Sequence, residues 1–246
     1  MKYLLIASVV VSLAVLVAPA FGAICSNASL NGVFGFENVG LDAPGQPGTS
    51  VGQFSFDGNG SVSGGFTHAG AQIATLKFTG TYSVSKDCTG SMVLTTSNGG
   101  TENSSFVIDN NKKGLQIIRT DSGQVKPGFA LAQGIGVCGL AGKKQTFAFS
   151  LAGTDDKARP DAFVGQVILD GKGNLTGKMT VSIDGGIGPA SLTGTYTENA
   201  DCTGTMQITS SLGSTSNLNT VVVNMGKEIL LIATDSGSII SGNAQQ

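Results

Sequence analysis

The chain repeats itself. Thr79-Gly80-Thr81-Tyr82 returns as Thr193-Gly194-Thr195-Tyr196, Asp87-Cys88-Thr89-Gly90 as Asp201-Cys202-Thr203-Gly204, and Thr120-Asp121-Ser122-Gly123 as Thr234-Asp235-Ser236-Gly237, all at an offset of 114. Upstream the offset is 113: Cys25 with Cys138, Phe34 with Phe147, Phe36 with Phe149, and Asp57-Gly58 with Asp170-Gly171. Matches in one order with a single one-residue shift, between Gly177 and Thr193, mark a duplication rather than chance. Whatever one copy folds into, the other must also form.

Each copy reads as strands. Phe34 and Phe36 alternate with Gly35 and Glu37, as Phe147 and Phe149 alternate with Ala148 and Ser150. Phe54/Phe56 answer Val167/Leu169, Met92/Leu94 answer Met206/Ile208, and Leu115/Ile117 answer Ile229/Leu231. A period of two places one set inward and the other outward. Asp57-Gly58-Asn59-Gly60, Asp170-Gly171-Lys172-Gly173 and Asn111-Lys112-Lys113-Gly114 lie between such runs and read as hairpin turns, since Gly and Asn tolerate positive φ. No amphipathic 3.6 period bounded by caps follows the N-terminal region. The 37 glycines and a charged fraction of only 12% fit many short strands joined by tight turns. The expectation is all-β: two tandem antiparallel barrel-like units, or sandwiches, of about seven or eight strands, over residues 24–133 and 137–244, with a junction at Gly134 to Val137. One larger sheet system shared by both copies is the alternative.

Residues 1–20 read as a signal peptide. Lys2 is the basic n-region, Leu4 to Val17 is apolar except for Ser8 and Ser12, and Ala18-Pro19-Ala20 supplies small residues for cleavage. The apolar run falls short of the ~20 residues of a spanning helix. Ile24 before Cys25 does not fit a lipoprotein signal. An outer-membrane barrel is disfavoured by three Tyr, no Trp and a non-aromatic last residue. The expected location is periplasmic or extracellular, where four cysteines pair. Equivalent units should close equivalently, which selects Cys25 with Cys88 and Cys138 with Cys202. The formal net charge of −2 is too small and diffuse for a nucleic-acid or anionic-membrane partner.

Phe56-Asp57-Gly58-Asn59-Gly60, Thr79 to Tyr82, Asp87 to Gly90 and Lys227 to Gly237 together resemble a group of secreted bacterial β-repeat proteins of unassigned function. The resemblance covers nearly all of the chain after the signal and implies the fold and export, with no catalytic or binding residue to carry over. In its repetition of short strands the chain also looks like calycin, avidin and allene-oxide-cyclase-type barrels.

The chemistry-bearing motifs are few. Asp121-Ser122-Gly123 and Asp235-Ser236-Gly237 invite comparison with the two-lobed aspartic proteases, whose paired carboxylates share a proton. Thr120 and Thr234 stand where that family has an apolar residue, each motif ends its unit, and only Ser238 to Gln246 follow the second. A strand running into an Asp-initiated turn accounts for both. His68 is the one histidine and has no counterpart in the second copy, so it reads as an exposed loop or strand residue. From Asp57, the sixth and twelfth positions of a calcium loop hold Val62 and His68, and Lys172 occupies a would-be ligand position in the second copy, so neither reads as a metal site. No cofactor is expected.

Function is then a choice between two non-catalytic classes, with an aspartic-type hydrolase using Asp121 and Asp235 as a third. In one, Phe34, Phe36, Phe54, Tyr82 and Met92, with Phe147, Phe149, Tyr196 and Met206, fill the interiors, and the protein serves as an envelope or extracellular structural or interaction component. In the other, these side chains line a site for a small apolar ligand. Core packing is the commoner fate of inward aromatics, which favours the filled interior.

Overall fold

The computed structural model describes residues 24–109, 111–134 and 138–246; the signal-peptide reading and most of the expected junction lie outside them. The first unit comprises β1 (Asn31–Ala43), β2 (Gln46–Asp57), β3 (Ser61–Ala69), β4 (Ile73–Val84), β5 (Thr89–Thr96), β6 (Thr101–Ile108), β7 (Gly114–Arg119) and β8 (Pro127–Ala132). The second comprises β9 (Gln145–Thr154), β10 (Pro160–Leu169), β11 (Asn174–Ile183), β12 (Gly186–Glu198), β13 (Thr203–Ser210), β14 (Thr215–Val223), β15 (Glu228–Ala233) and β16 (Ile239–Gln245). In each unit neighbours in sequence pair antiparallel and the last strand returns to the first, so both close as eight-stranded up-and-down barrels. Closure leaves no free sheet edge, which a chain with so few charges and prolines needs. Among the described residues the two copies share no sheet.

The repeated motifs are the parts that any such barrel must have. Asp57 Oδ1 accepts the amides of Asn59, Gly60 and Ser61, and Asp170 Oδ1 accepts those of Lys172 and Asn174, closing the β2–β3 and β10–β11 hairpins. Asp87 and Asp201 each bind the amide and hydroxyl of the Thr two residues on. Cys88 and Cys202 sit at φ 69° and 67° within those turns and are bonded to Cys25 and Cys138 respectively. The disulfides therefore pin the segment leading into the first strand of each barrel to its β4–β5 or β12–β13 turn. At the same end the Tyr82 hydroxyl donates to the Leu30 and Asn27 carbonyls, and the Tyr196 hydroxyl to the Leu140 carbonyl. Leu30 and Leu140, both fully buried, plug that end. Gly80 and Gly194, before each Tyr, are required because a Cβ there would lie 2.1 Å from the Val93 carbonyl oxygen or 1.9 Å from that of Gln207.

Inward faces are apolar and outward faces carry Thr, Ser, Asn and Lys, the reverse of a barrel that faces lipid. No described helix is long and apolar enough to cross a membrane. An apolar part of the outer surface forms the seam between the barrels, where Val51 and Ala69 of the first pack on Val221, Val223, Leu230 and Ile232 of the second. Gly35 permits this approach, since a Cβ there would stand 2.4 Å from a Val223 methyl. Polar groups bridge the seam: Thr49 donates to Ser241 (2.7 Å), Asn219 to Thr67 (2.8 Å) and the Gln133 amide to the Val222 carbonyl (2.9 Å).

Candidate functional site

At the end opposite the disulfides the barrels differ. The first is filled. Phe36 stacks on Phe54 (4.2 Å between ring centroids), Phe54 and Phe66 both meet Phe78 edge-on or tilted, and Phe56 meets Tyr82. Above this column Arg119, 9% exposed, turns across the opening to Glu102 and to Asp121 (2.7 Å). Asp121 also takes the backbone and side-chain amides of Asn103. Burial alone would raise its carboxyl pKa, but the hydrogen bonds from Asn103 and Arg119 outweigh that and hold it low. Beside it, Lys126 is buried and its Nζ lies 2.6 Å from Asp42, which also pairs with His68 at 3.1 Å. Burial opposes the charge on Asp42, yet its His68 and Lys126 partners bring its pKa down to about 2. The hollow left under this lid is about 10 Å³. His68 is thus a half-buried β3 residue engaged with Asp42 and Ser50, not the exposed residue expected, because Asp42 on β1 and Lys126 just before β8 make a polar nook for it.

The second barrel is open. Register equates Phe54, Phe56, Phe66, Phe78 and Phe106 with Val167, Leu169, Met179, Leu192 and Thr220, every one smaller. The lid is gone too: Arg119 becomes Ala233, Glu102 becomes Ser216, Lys126 becomes Ile240 and His68 becomes Val181. A cavity of about 350 Å³ results, walled by Phe149, Leu151, Phe163, Met179, Ile183, Leu192, Ile208, Leu218, Ala233 and Ile240. Its size falls within the range of small-molecule sites, roughly 300–1,000 Å³. Two hollows of about 460 and 540 Å³ lie on the barrels' outer surfaces, one between the barrels and one along β5 to β7.

The rim of the cavity is polar, and its charged residues are mostly acidic. Asp155 accepts from Arg159 Nε (2.8 Å), whose hydrogen bond takes its pKa down to about 2. Asp235 accepts the amide and side chain of Asn217, as Asp121 does from Asn103. Each of the two Asp-Ser-Gly aspartates therefore takes its hydrogen bonds from its own barrel and braces a strand-to-loop corner. Asp161 differs from the rest. It faces inward on β10 in the same alternation as Phe163 and Val167, and its Oδ1 is buried without a hydrogen-bond partner. Burial first, and the Asp155 charge second, push its carboxyl pKa up. No group of His, Cys, Asp and Glu among the described residues is arranged to hold a metal ion.

Of the alternating side chains noted in the second copy, Phe149 and Ile208 reach this cavity, whereas Phe147, Tyr196 and Met206 pack the closed end. The cavity walls and Asp161 are not signalled by what the copies share. The signal is in their differences, read column by column down the duplication. Searched against known proteins, the chain matches no family model and no curated protein.

Proposed function

We propose that the protein is an exported, non-catalytic binding protein whose second barrel takes one small, largely apolar molecule through its open mouth. The observation that carries this reading is the cavity of about 350 Å³ in one barrel against about 10 Å³ in the other. Two barrels of common descent differ by loss of five phenylalanines and of a charged lid, and two of the replaced positions, Met179 and Leu192, line the cavity beneath the place where the lid is missing. Through its open mouth the apolar lining meets water, so an apolar occupant that covers it is favoured by the surface it removes from solvent. The first barrel, packed to its lid, fits the structural role: it buttresses β14 to β16, which form one side of the cavity-bearing barrel. The N-terminal signal and the two disulfides support export to an oxidising compartment.

Fluorescence titration with N-phenyl-1-naphthylamine tests this. The expected result is saturable enhancement at one probe per chain, abolished when the lid is transplanted as Ala233→Arg with Ser216→Glu. No enhancement, or enhancement that survives the transplanted lid, overturns the reading.

A further inference from the structure

Resting on that reading of the cavity, we propose that the ligand carries a protonated amine at one end of its apolar body and that Asp161 receives it. The argument begins in the first barrel. Asp161 corresponds to Gly48, and a Cβ at Gly48 would lie 1.9 Å from Asp42 Oδ2. The Asp42 carboxylate thus occupies, in the filled barrel, the place that the Asp161 side chain takes in the open one. There the carboxylate is met by an ammonium of the protein's own, Lys126 Nζ at 2.6 Å, itself only 3% exposed. In the second barrel Asp155 stands for Asp42 and is met by Arg159, while the place of the Asp42 carboxylate is taken by Asp161, which has no ammonium beside it, since Ile240 stands for Lys126 and Val181 for His68.

Asp161 is more than nine-tenths buried, at 8% exposed, lines the cavity and has an oxygen without a partner. A buried carboxylate in that condition is costly, and the Arg159 charge and the Asp184 backbone amide, which favour its ionised form, do not outweigh burial and the Asp155 charge. Its pairing partners on β9 and β11 are Gly153 and Ile183. The charges that act on it are Asp155, Asp184 and Arg159; the guanidinium is already engaged with Asp155. Asp156 and Asp235 add further acid to the rim. The field at the mouth therefore selects against an anionic ligand and for a cation. An ammonium bound where Lys126 Nζ sits in the first barrel gives Asp161 its missing donor, and Phe163, two residues along the same face of β10, offers an aromatic wall beside it. The first barrel carries this ammonium covalently; the second takes it from solution with an apolar body attached.

The test uses three probes with one body: 1-naphthylmethylamine, 1-naphthalenemethanol and 1-naphthoic acid, each displacing N-phenyl-1-naphthylamine from the full chain. The amine is expected to bind at least about tenfold tighter than the alcohol, as a charge-assisted hydrogen bond supplies, and the acid weakest. Asp161→Asn should remove that preference while leaving the alcohol's affinity within about twofold. Ile240→Lys, which restores the first barrel's internal ammonium, should suppress amine binding selectively and guards against a folding defect in the first variant. Equal binding of amine and alcohol, or an amine preference unchanged in Asp161→Asn, overturns the assignment of Asp161 while the cavity reading stands. Failure of every probe, N-phenyl-1-naphthylamine included, sinks the cavity reading and this inference with it.

Discussion

Two copies of one barrel lie side by side in this chain, alike at one end and opposite at the other. The disulfide end is duplicated down to individual hydrogen bonds: Tyr82 and Tyr196 cap on Leu30 and Leu140, and Asp87 and Asp201 brace equivalent turns. The far end is closed by charge in the first barrel and left as an apolar hollow with an acidic rim in the second. A closed end and a strand register are needed to make a barrel at all, so both copies keep them. The mouth is not needed for closure, and there the two have been free to separate. Difference between duplicates, more than similarity, locates the functional end.

The largest effect that bears on this contrast is in the packing. Phe54→Ala deletes a ring that touches Phe36, Phe56 and Phe78, and should cost ~3–5 kcal/mol in urea unfolding. Met179→Ala, at the position equivalent to Phe66, enlarges a hollow that already exists and should fall near ~2 kcal/mol. Similar costs would mean that the second barrel is as tightly packed as the first. The disulfides provide the control in which the barrels should agree. Replacing both cysteines of either bridge by Ser opens loops of 63 or 64 residues. Chain entropy then gives about 4 kcal/mol for each as an upper figure. Unequal losses would place a difference at the end described here as equivalent.

Opening the first barrel is a smaller step and a sharper one. Arg119→Ala should cost roughly 2–3 kcal/mol, below a fully buried pair because Glu102 is partly exposed and Asp121 keeps Asn103. The resulting barrel should still exclude N-phenyl-1-naphthylamine, because its phenylalanine column remains. Uptake by Arg119→Ala alone would show that the lid, and not the packing beneath it, is what separates the two barrels.

Much of this architecture is legible in the sequence because turn and closure chemistry is local. Asp-Gly hairpins, the Thr-Gly-Thr-Tyr strand and the Asp-Cys-Thr-Gly turn each work within a few residues, so their recurrence gives strand order and disulfide pairing. The seam between the barrels is hidden. Val221-Val222-Val223 and the run from Glu228 to Ala233 bury both faces, one into their own barrel and one against Val51 and Ala69, which erases the period of two. The site is hidden for another reason. Lys126 and Asp42 are 84 residues apart and Arg119 meets Glu102 across a strand pair, so no spacing rule flags them. The meaning of Asp161 appears only beside Gly48 and the carboxylate that fills Gly48's place.

The smallest expected effect is also the one whose sign divides the barrels most cleanly. In the first, Asp42 is held at about 2 by His68 and Lys126 against the opposing effect of burial. A carboxyl lowered in the fold contributes stability that is full above its unfolded value, about 4, and is lost as the pH falls toward 2. In the second, burial and then the Asp155 charge raise Asp161, so folding disfavours its ionised form. Its contribution is therefore lost in the opposite direction, as the pH rises from about 4 through its raised value. Glu37, raised by burial at the seam and by Glu228 against the hydrogen bond from Ser241, has the same sign as Asp161, so each variant must be read as a difference from the parent chain. Melting temperatures of Asp42→Asn should converge on the parent's below pH ~2 and fall short of it at neutral pH. Those of Asp161→Asn should match the parent in acid, where both side chains are neutral, and exceed it at neutral pH. Addition of 1-naphthylmethylamine at neutral pH should then stabilise the parent and not Asp161→Asn, because only the parent holds a buried carboxylate for the ammonium to neutralise. Two variants displaced from the parent in the same direction across this range would mean that the two carboxylates sit in equivalent fields, and the contrast between the mouths would not hold.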